Sequence, residues 1–374
     1  MDHPVQAGTS AATGRHDQRI AHTSVRHFES FDICIGRQKR QGSETVFECN
    51  AVNAIKSDPG FERKATMTDL IFFVRYGTGR NKTNSLSRFF NTLLLVVLIL
   101  PLFLPAQDRH FTLTNTHYIL LKSELTQREH ELIVFLPGGY ENSPEKYYPT
   151  LYFADAYWDM PLLYSIHGQL VYDNVIPELI MIGFSYPGEN ANYGQLRARD
   201  FTPIRVNENS GDAPKFLEFI ENTVIPRIES EYRVDKTDRA LSGNSLGGLF
   251  TLYAMYMRPG LFRRYIAISP AVNPYLFSVD EAFAKENKSM NARLFLSYGG
   301  DEYAPFRDPI IEFQKQISAR IYIGLELLNY RIEGERHSGV KSEGYSRGLR
   351  WVYKDIAPDG PSGLDREINR SNPK

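Results

Sequence analysis

The chain has 374 residues, with 43 lysines and arginines against 44 aspartates and glutamates and a formal net charge of -1. It has no basic stripe and no interleaving of basic and aromatic residues, so the electrostatic footprint of nucleic-acid binding is missing and that function class is excluded. Both cysteines, Cys34 and Cys49, lie near the N-terminus, which rules out a disulfide-stapled scaffold for the rest of the chain.

Residues 1–66 are polar, with scattered histidines and neither apolar periodicity nor turn logic. They predict a disordered extension, or one ahead of the true start of translation at Met67. Residues 93–104 then form a continuous apolar run, with Arg88 before it and Ala106 just after. The run is shorter than the roughly 20 residues that span a bilayer and contains Pro101. It therefore predicts the core of an export signal within 67–107, with an uncleaved membrane anchor as the alternative. Beyond it, residues 108–357 make a cysteine-free domain, expected in the periplasm or secreted, and 358–374 a flexible C-terminal tail.

Within 108–357 strand and helix patterns alternate. Residues 112–121 and 131–136 predict edge strands, and 149–154 an apolar strand that empties into Asp155-Ala156-Tyr157-Trp158. Residues 213–232 predict a long helix with Phe216, Phe219, Ile220 and Ile228 inward, interrupted at Pro226. Residues 238–242 read as a strand and 246–258 as a helix with Leu249, Phe250, Tyr253 and Met257 on one face, stopped by Pro259-Gly260. Two further strands are expected at 293–298 and 325–332. This order predicts an α/β domain, a mostly parallel sheet of about eight strands with helices on both faces.

Between the 238–242 strand and the helix after it stands Gly243-Asn244-Ser245-Leu246-Gly247-Gly248. It contains G-x-S-x-G, the turn that lifts a serine out of a strand on a strained backbone whose flanking positions have no room for a Cβ. On α/β-hydrolases the partners of such a serine come after it in the order acid, then histidine. Of nine histidines only His337 lies beyond Ser245, in the loop after the last predicted strand. The acid should end the strand before that one, where Gly299-Gly300-Asp301-Glu302 offers two adjacent carboxylates that spacing alone does not separate. A metal reading of Asp301, Glu302 and Asp308 has no loop signature in its favour, and neither metal nor organic cofactor is expected. Acyl transfer also needs two backbone N–H groups on the developing oxyanion. Leu246 supplies one, and the loop after residues 149–154 is the candidate for the other.

With these pieces the chain resembles the "Putative esterase" family of α/β-hydrolases, which includes enterochelin esterase, esterase D and the antigen 85 mycolyltransferases. It is most similar to stand-alone enterochelin-esterase-like hydrolases, over roughly residues 112–355. The resemblance rests on Tyr148-Pro149-Thr150-Leu151-Tyr152, Ile180-Met181-Ile182-Gly183-Phe184, Arg199-Asp200-Phe201-Thr202-Pro203, Gly243 to Gly248, Ile268-Ser269-Pro270 and Arg347-Gly348-Leu349-Arg350-Trp351. It implies an α/β-hydrolase fold and favours Glu302 over Asp301 as the acid. It also maps the second oxyanion donor to Tyr157, in a loop where Ala156 replaces a common glycine. Asn244 replaces the histidine common before the serine. The block at 199–203 is expected near the mouth of the site, with Arg199 and Asp200 in an ion pair that holds a loop.

The expected activity is hydrolysis of a carboxylic ester through an acyl-enzyme on Ser245, His337 and Glu302. Aromatics on the surrounding loops, including Trp158 and Tyr186, suit a ring-bearing small-molecule or carbohydrate ester, either a siderophore or an acylated polysaccharide. The alternatives are acyl transfer to a sugar or lipid hydroxyl and a non-catalytic binding protein on the same scaffold.

Overall fold

The computed structural model describes residues 37–41, 44–48, 93–94, 112–188 and 190–371. They belong to two units that divide between Ala106 and Gln107. In the first, β1 (Arg37–Gln41) and β2 (Glu44–Glu48) pair antiparallel, from Arg37↔Glu48 to Gln41↔Glu44. This pair of strands lies within residues 1–66, which the sequence predicts to be disordered or ahead of the true start. A two-stranded ladder is marginal on its own in water. The rest of residues 1–66, and the expected export segment 67–107 apart from 93–94, lie outside the described residues. Among the described residues no helix is long and apolar enough to cross a membrane.

The second unit is built on eight strands: β3 (Thr116–Ser123), β4 (Arg128–Phe135), β5 (Tyr148–Phe153), β6 (Ile180–Ser185), β7 (Val234–Asn244), β8 (Arg264–Ile268), β9 (Ser289–Gly299) and β10 (Ile323–Ile332). Their order is β10-β9-β8-β7-β5-β6-β4-β3. Neighbours from β6 to β10 run parallel, and β4 and β3 are added antiparallel. Of the two strands expected at an edge only β3 is one, because residues 131–135 of β4 also pair with β6. The opposite edge is β10.

Period-two alternation sorts the core into two layers. Leu151 and Phe153 of β5, with Ile266 and Ile268 of β8, face one way, while Tyr152, Tyr265 and Ala267 face the other. Helices α1 (Ala156–Tyr172) and α8 (Val340–Val352) cover the first face through Met160, Leu163, Tyr345 and Leu349. The second face is covered by α2 (Tyr193–Phe201), α3 (Ala213–Phe219), α4 (Ile225–Glu231), α5 (Leu246–Met257), α6 (Pro274–Glu286) and α7 (Ala304–Arg320), through residues such as Phe216, Phe250, Leu276 and Ile310. With both faces covered, β6 and β8 are buried along their whole length, as parallel strands of this architecture are. The arrangement is the α/β-hydrolase fold.

Two expected segments take a definite form. The helix over 213–232 is α3, a π-helical segment Ile220–Val224 and α4. Pro226 has no N–H to give the carbonyl four residues back, and a wider turn ahead of it absorbs the mismatch. Phe216, Phe219, Ile220 and Ile228 all remain buried. The C-terminal stretch expected to be flexible carries α9 (Gly363–Ser371). Ser362 and Asp365 cap it reciprocally, the Ser362 N–H donating to Asp365 Oδ2 at 3.1 Å and the Asp365 N–H to Ser362 Oγ at 3.2 Å. Arg366 and Asn174 then tie it to the end of α1.

At the N-terminal ends of the strands, buried Arg264 of β8 forks onto Asp238 of β7, with both nitrogen-oxygen distances 2.6 Å, and onto Asp355 at 2.6 Å. It also donates to the Val352 carbonyl at the end of α8. A bidentate buried pair of this kind fixes orientation as well as energy, and here it clamps α8 to the sheet.

His167 of α1 is equally committed. Its Nε2 accepts the Leu179 N–H at 3.0 Å, and burial holds the imidazole down at about 4, so it is neutral in the folded state. The unfolded chain binds a proton there near 6.5 and the folded one does not, so stability falls as pH drops from 6.5 towards 4. His167→Gln keeps an acceptor and removes the titration. Chemical denaturation at pH 7 and pH 4 is expected to show the wild type losing about 3 kcal/mol more than the variant over that interval.

Candidate active site

The C-terminal ends of β5, β7, β8, β9 and β10 lie side by side, the place where parallel α/β sheets build their sites. At the end of β7, Ser245 has φ 60 and ψ -118, a backbone sterically costly for a residue with a Cβ. The chain must double back tightly here to enter α5. A Cβ on Gly243 would lie 2.4 Å from the Gly247 carbonyl carbon, and one on Gly247 would lie 2.7 Å from the Ala154 Cβ. The glycines of G-x-S-x-G are therefore a contact requirement. Ser245 donates its N–H to the Ile268 carbonyl at 3.1 Å and accepts from the Ala271 N–H at 2.9 Å, which fastens the turn to the segment after β8. Asn244, where the family often has histidine, donates its side-chain amide to the same Ile268 carbonyl at 3.1 Å. Leu246 opens α5, so its N–H is among the first-turn amides with no acceptor inside the helix.

His337 comes after β10 and is brought to Glu302, which comes after β9. His337 Nδ1 and Glu302 Oε1 are 2.7 Å apart, and the Glu302 side chain is fully buried while the imidazole is partly open. Glu302 Oε2 accepts the Gly299 N–H at 3.2 Å. Asp301 is exposed, and its N–H donates to the Glu335 carbonyl at 3.0 Å. The turn that follows Gly299 leaves the second carboxylate buried and the first exposed. Phe306 meets the His337 ring edge-on at 4.5 Å. Ser269, buried and with φ 41, donates its hydroxyl to Glu302 Oε1 and lies 3.4 Å from His337 Nδ1. In the sequence Ser269 stands out only as part of a block shared with the family; an isolated serine after a strand carries no local signal of such a contact.

After β5, Asp155 adopts the left-handed conformation, φ 59 and ψ 39, and α1 begins. Ala156 keeps an ordinary backbone, and its methyl occupies space that a side chain on Gly183 of β6 would need, 2.3 Å from the position of a Cβ there. The exchange of glycine for alanine in this loop is thus accommodated by the bare backbone opposite. Arg197 of α2, which no motif in the sequence singles out, grips both Asp155 carboxylate oxygens at 2.8 Å. Tyr157, the second residue of α1, stacks on Tyr193 at 4.0 Å and 18°. Burial, with the Asp155 charge second, pushes its phenol well above the ordinary range.

Trp158 is 59% exposed, with Lys341 Nζ 5.5 Å above its ring. Tyr186 is only 2% exposed and lies beneath Tyr157 and Tyr193, where it supports the loop from below. A cavity of about 550 Å³ opens between Tyr157 and Tyr193 on one side and Thr116, Tyr118 and Glu131 of the β3–β4 hairpin on the other. Arg199 and Asp200 do not pair with each other. Arg199 binds Asp212 at 2.8 Å, and Asp200 binds Arg128, with burial raising its carboxyl to about 6. Among the described residues no group of three or more His, Cys, Asp or Glu side chains is placed to hold a metal ion.

The Arg197 fork is what keeps a buried carboxylate paired at the strained start of α1. Arg197→Ala leaves Asp155 uncompensated and is expected to lower stability by about 3 kcal/mol, read from the urea midpoint. Arg197→Lys should recover little, because an ammonium does not span both oxygens.

Comparison with known proteins identifies the family. The profile of the family described as "Putative esterase" matches residues 123–318, more than half of the chain. The chain is 26% identical over 275 residues to ferri-bacillibactin esterase BesA of Bacillus subtilis, covering 67% of this chain and 93% of that protein. It is 30% identical over 207 residues to the siderophore triacetylfusarinine C esterase of Aspergillus fumigatus, covering 47% and 71%. Its fold matches the crystal structure of the BES protein from Bacillus cereus with a TM-score of 0.60 at 25% identity, over 66% of this chain and 98% of that one. The chain belongs to this esterase family and is a carboxylic-ester hydrolase.

Proposed function

We propose that the protein hydrolyses an ester of a siderophore through an acyl-enzyme on Ser245. Two observations carry the mechanism: the 2.7 Å contact of His337 with buried Glu302, and a serine on a strained, glycine-enclosed turn at the same end of the sheet. His337 Nε2 takes the Ser245 hydroxyl proton as Oγ attacks the ester carbonyl. Glu302 accepts the Nδ1–H and balances the imidazolium that forms. The N–H groups of Leu246 and Tyr157, each in the first turn of a helix, hold the oxyanion, and one such donor contributes about 3 kcal/mol to lowering the barrier. Collapse expels the alcohol, which takes the proton from His337. Water then enters by the same route in reverse roles and releases the acid.

The substrate class is supported by the two relatives, one named for ferri-bacillibactin and one for triacetylfusarinine C. Open Trp158, next in sequence to Tyr157 and with Lys341 over its ring, offers aromatic and cationic surface that suits such a substrate. The apolar run at 93–104 supports action outside the cytoplasm.

Ser245→Ala is expected to abolish fluorophosphonate labelling and to lower kcat on p-nitrophenyl acetate by about 10⁴-fold or more. Full turnover in that variant removes Ser245 from the reaction. Chromatography of products from a tri-ester siderophore should show stepwise opening to monomers; an intact siderophore beside rapid cleavage of feruloylated sugar would point to polysaccharide esters.

A further inference from the structure

Ser269 stands immediately after β8, fully buried and with a left-handed backbone at φ 41 that strains any residue carrying a Cβ. The chain on either side of it is bonded to the Ser245 turn, Ile268 just before it through its carbonyl at 3.1 Å and Ala271 two residues after it through its N–H at 2.9 Å. Its own N–H donates to the Ser297 carbonyl of β9 at 2.7 Å. A backbone pinned to two strands gives the side chain one direction, and that direction leads to Glu302 Oε1, the oxygen that also meets His337 Nδ1. A carboxylate oxygen only accepts, so the hydroxyl is the donor.

We propose that Ser269 is a positioning residue of this esterase, which holds Glu302 in line with His337 and ties that pair to the turn bearing Ser245. The inference rests on the triad reading above. Glu302 has three rotatable side-chain bonds and no fixed direction of its own. The Gly299 N–H anchors Oε2 and the Ser269 hydroxyl anchors Oε1, which leaves a lone pair of Oε1 facing the Nδ1–H. Ser269 is sealed from solvent beneath the pair, so its contribution falls on the chemical step and not on substrate binding.

Three variants of the full chain separate the hydroxyl from the backbone. Ser269→Gly removes the hydroxyl and relieves the left-handed strain, Ser269→Ala removes it and keeps the strain, and Ser269→Cys is nearly isosteric with a weak donor. On p-nitrophenyl acetate, Ser269→Gly and Ser269→Ala are expected to lower kcat ~10- to 100-fold with KM little changed. Ser269→Cys should recover part of the loss, and Ser269→Gly should melt no lower than Ser269→Ala. Wild-type kcat in Ser269→Gly overturns the proposal, as does a loss confined to KM or one that tracks the melting temperature across the variants. If Ser269→Ala does not fold, the glycine and cysteine variants carry the same comparison. Ser245→Ala in the same assay keeps the two readings apart. Inactive Ser245→Ala with fully active Ser269→Gly overturns the positioning role alone, whereas active Ser245→Ala overturns the triad reading and the positioning role with it.

Discussion

The backbone crossing at the end of β7 is the constraint on which the site depends. Gly243 lies so close to Gly247, and Gly247 so close to Ala154, that neither position admits a side chain, and Ser245 between them is held in a conformation it does not favour. Such strain persists only when the surroundings over-determine it. Here they do, because β7 is an interior strand between β5 and β8, α5 is buried along most of its length, and the turn is bonded on both its N–H and its carbonyl to the chain after β8. Removing any of these supports lets the turn relax and moves the serine.

Strain is repeated along the sheet. Asp155 after β5, Ser245 after β7 and Ser269 after β8 are all non-glycine residues with positive φ, on neighbouring strands of the parallel core. Each is locked by a different device: a bidentate arginine for Asp155, glycine contacts for Ser245, and backbone bonds to two strands for Ser269. A parallel sheet makes this economical, since all the strand ends that carry loops emerge on one edge and their backbones are already in register. The helices then add first-turn amides at α1 and α5 without further folding cost.

The buried ionic groups divide by purpose. Arg264 with Asp238 and Asp355 secures α8 at the far end of the strands, and Arg197 with Asp155 secures the start of α1 beside the site. Both sit where a helix meets the sheet and where a small rotation would carry a loop residue out of place. This supports a positional use of buried charge in this chain, in keeping with the modest net stability such pairs provide.

Composition, strand alternation and the order serine, acid, histidine were enough to reach the α/β-hydrolase fold and to single out Ser245 and His337 as candidates, because those features are local or depend only on chain order, whereas the preference for Glu302 over Asp301 came only from the family resemblance. The capping box at Ser362 and Asp365 is legible in the same local way, although the composition of the tail suggested flexibility instead. What no window of sequence contains is distance between strand ends. Glu302 rather than Asp301 meets His337 because of how the chain turns after Gly299. Arg197 reaches Asp155 across 42 positions, and Ser269 touches Glu302 across 33. These contacts exist only once β5, β7, β8, β9 and β10 are aligned in one sheet, since burial and register, and not residue type, choose the partner of a polar side chain.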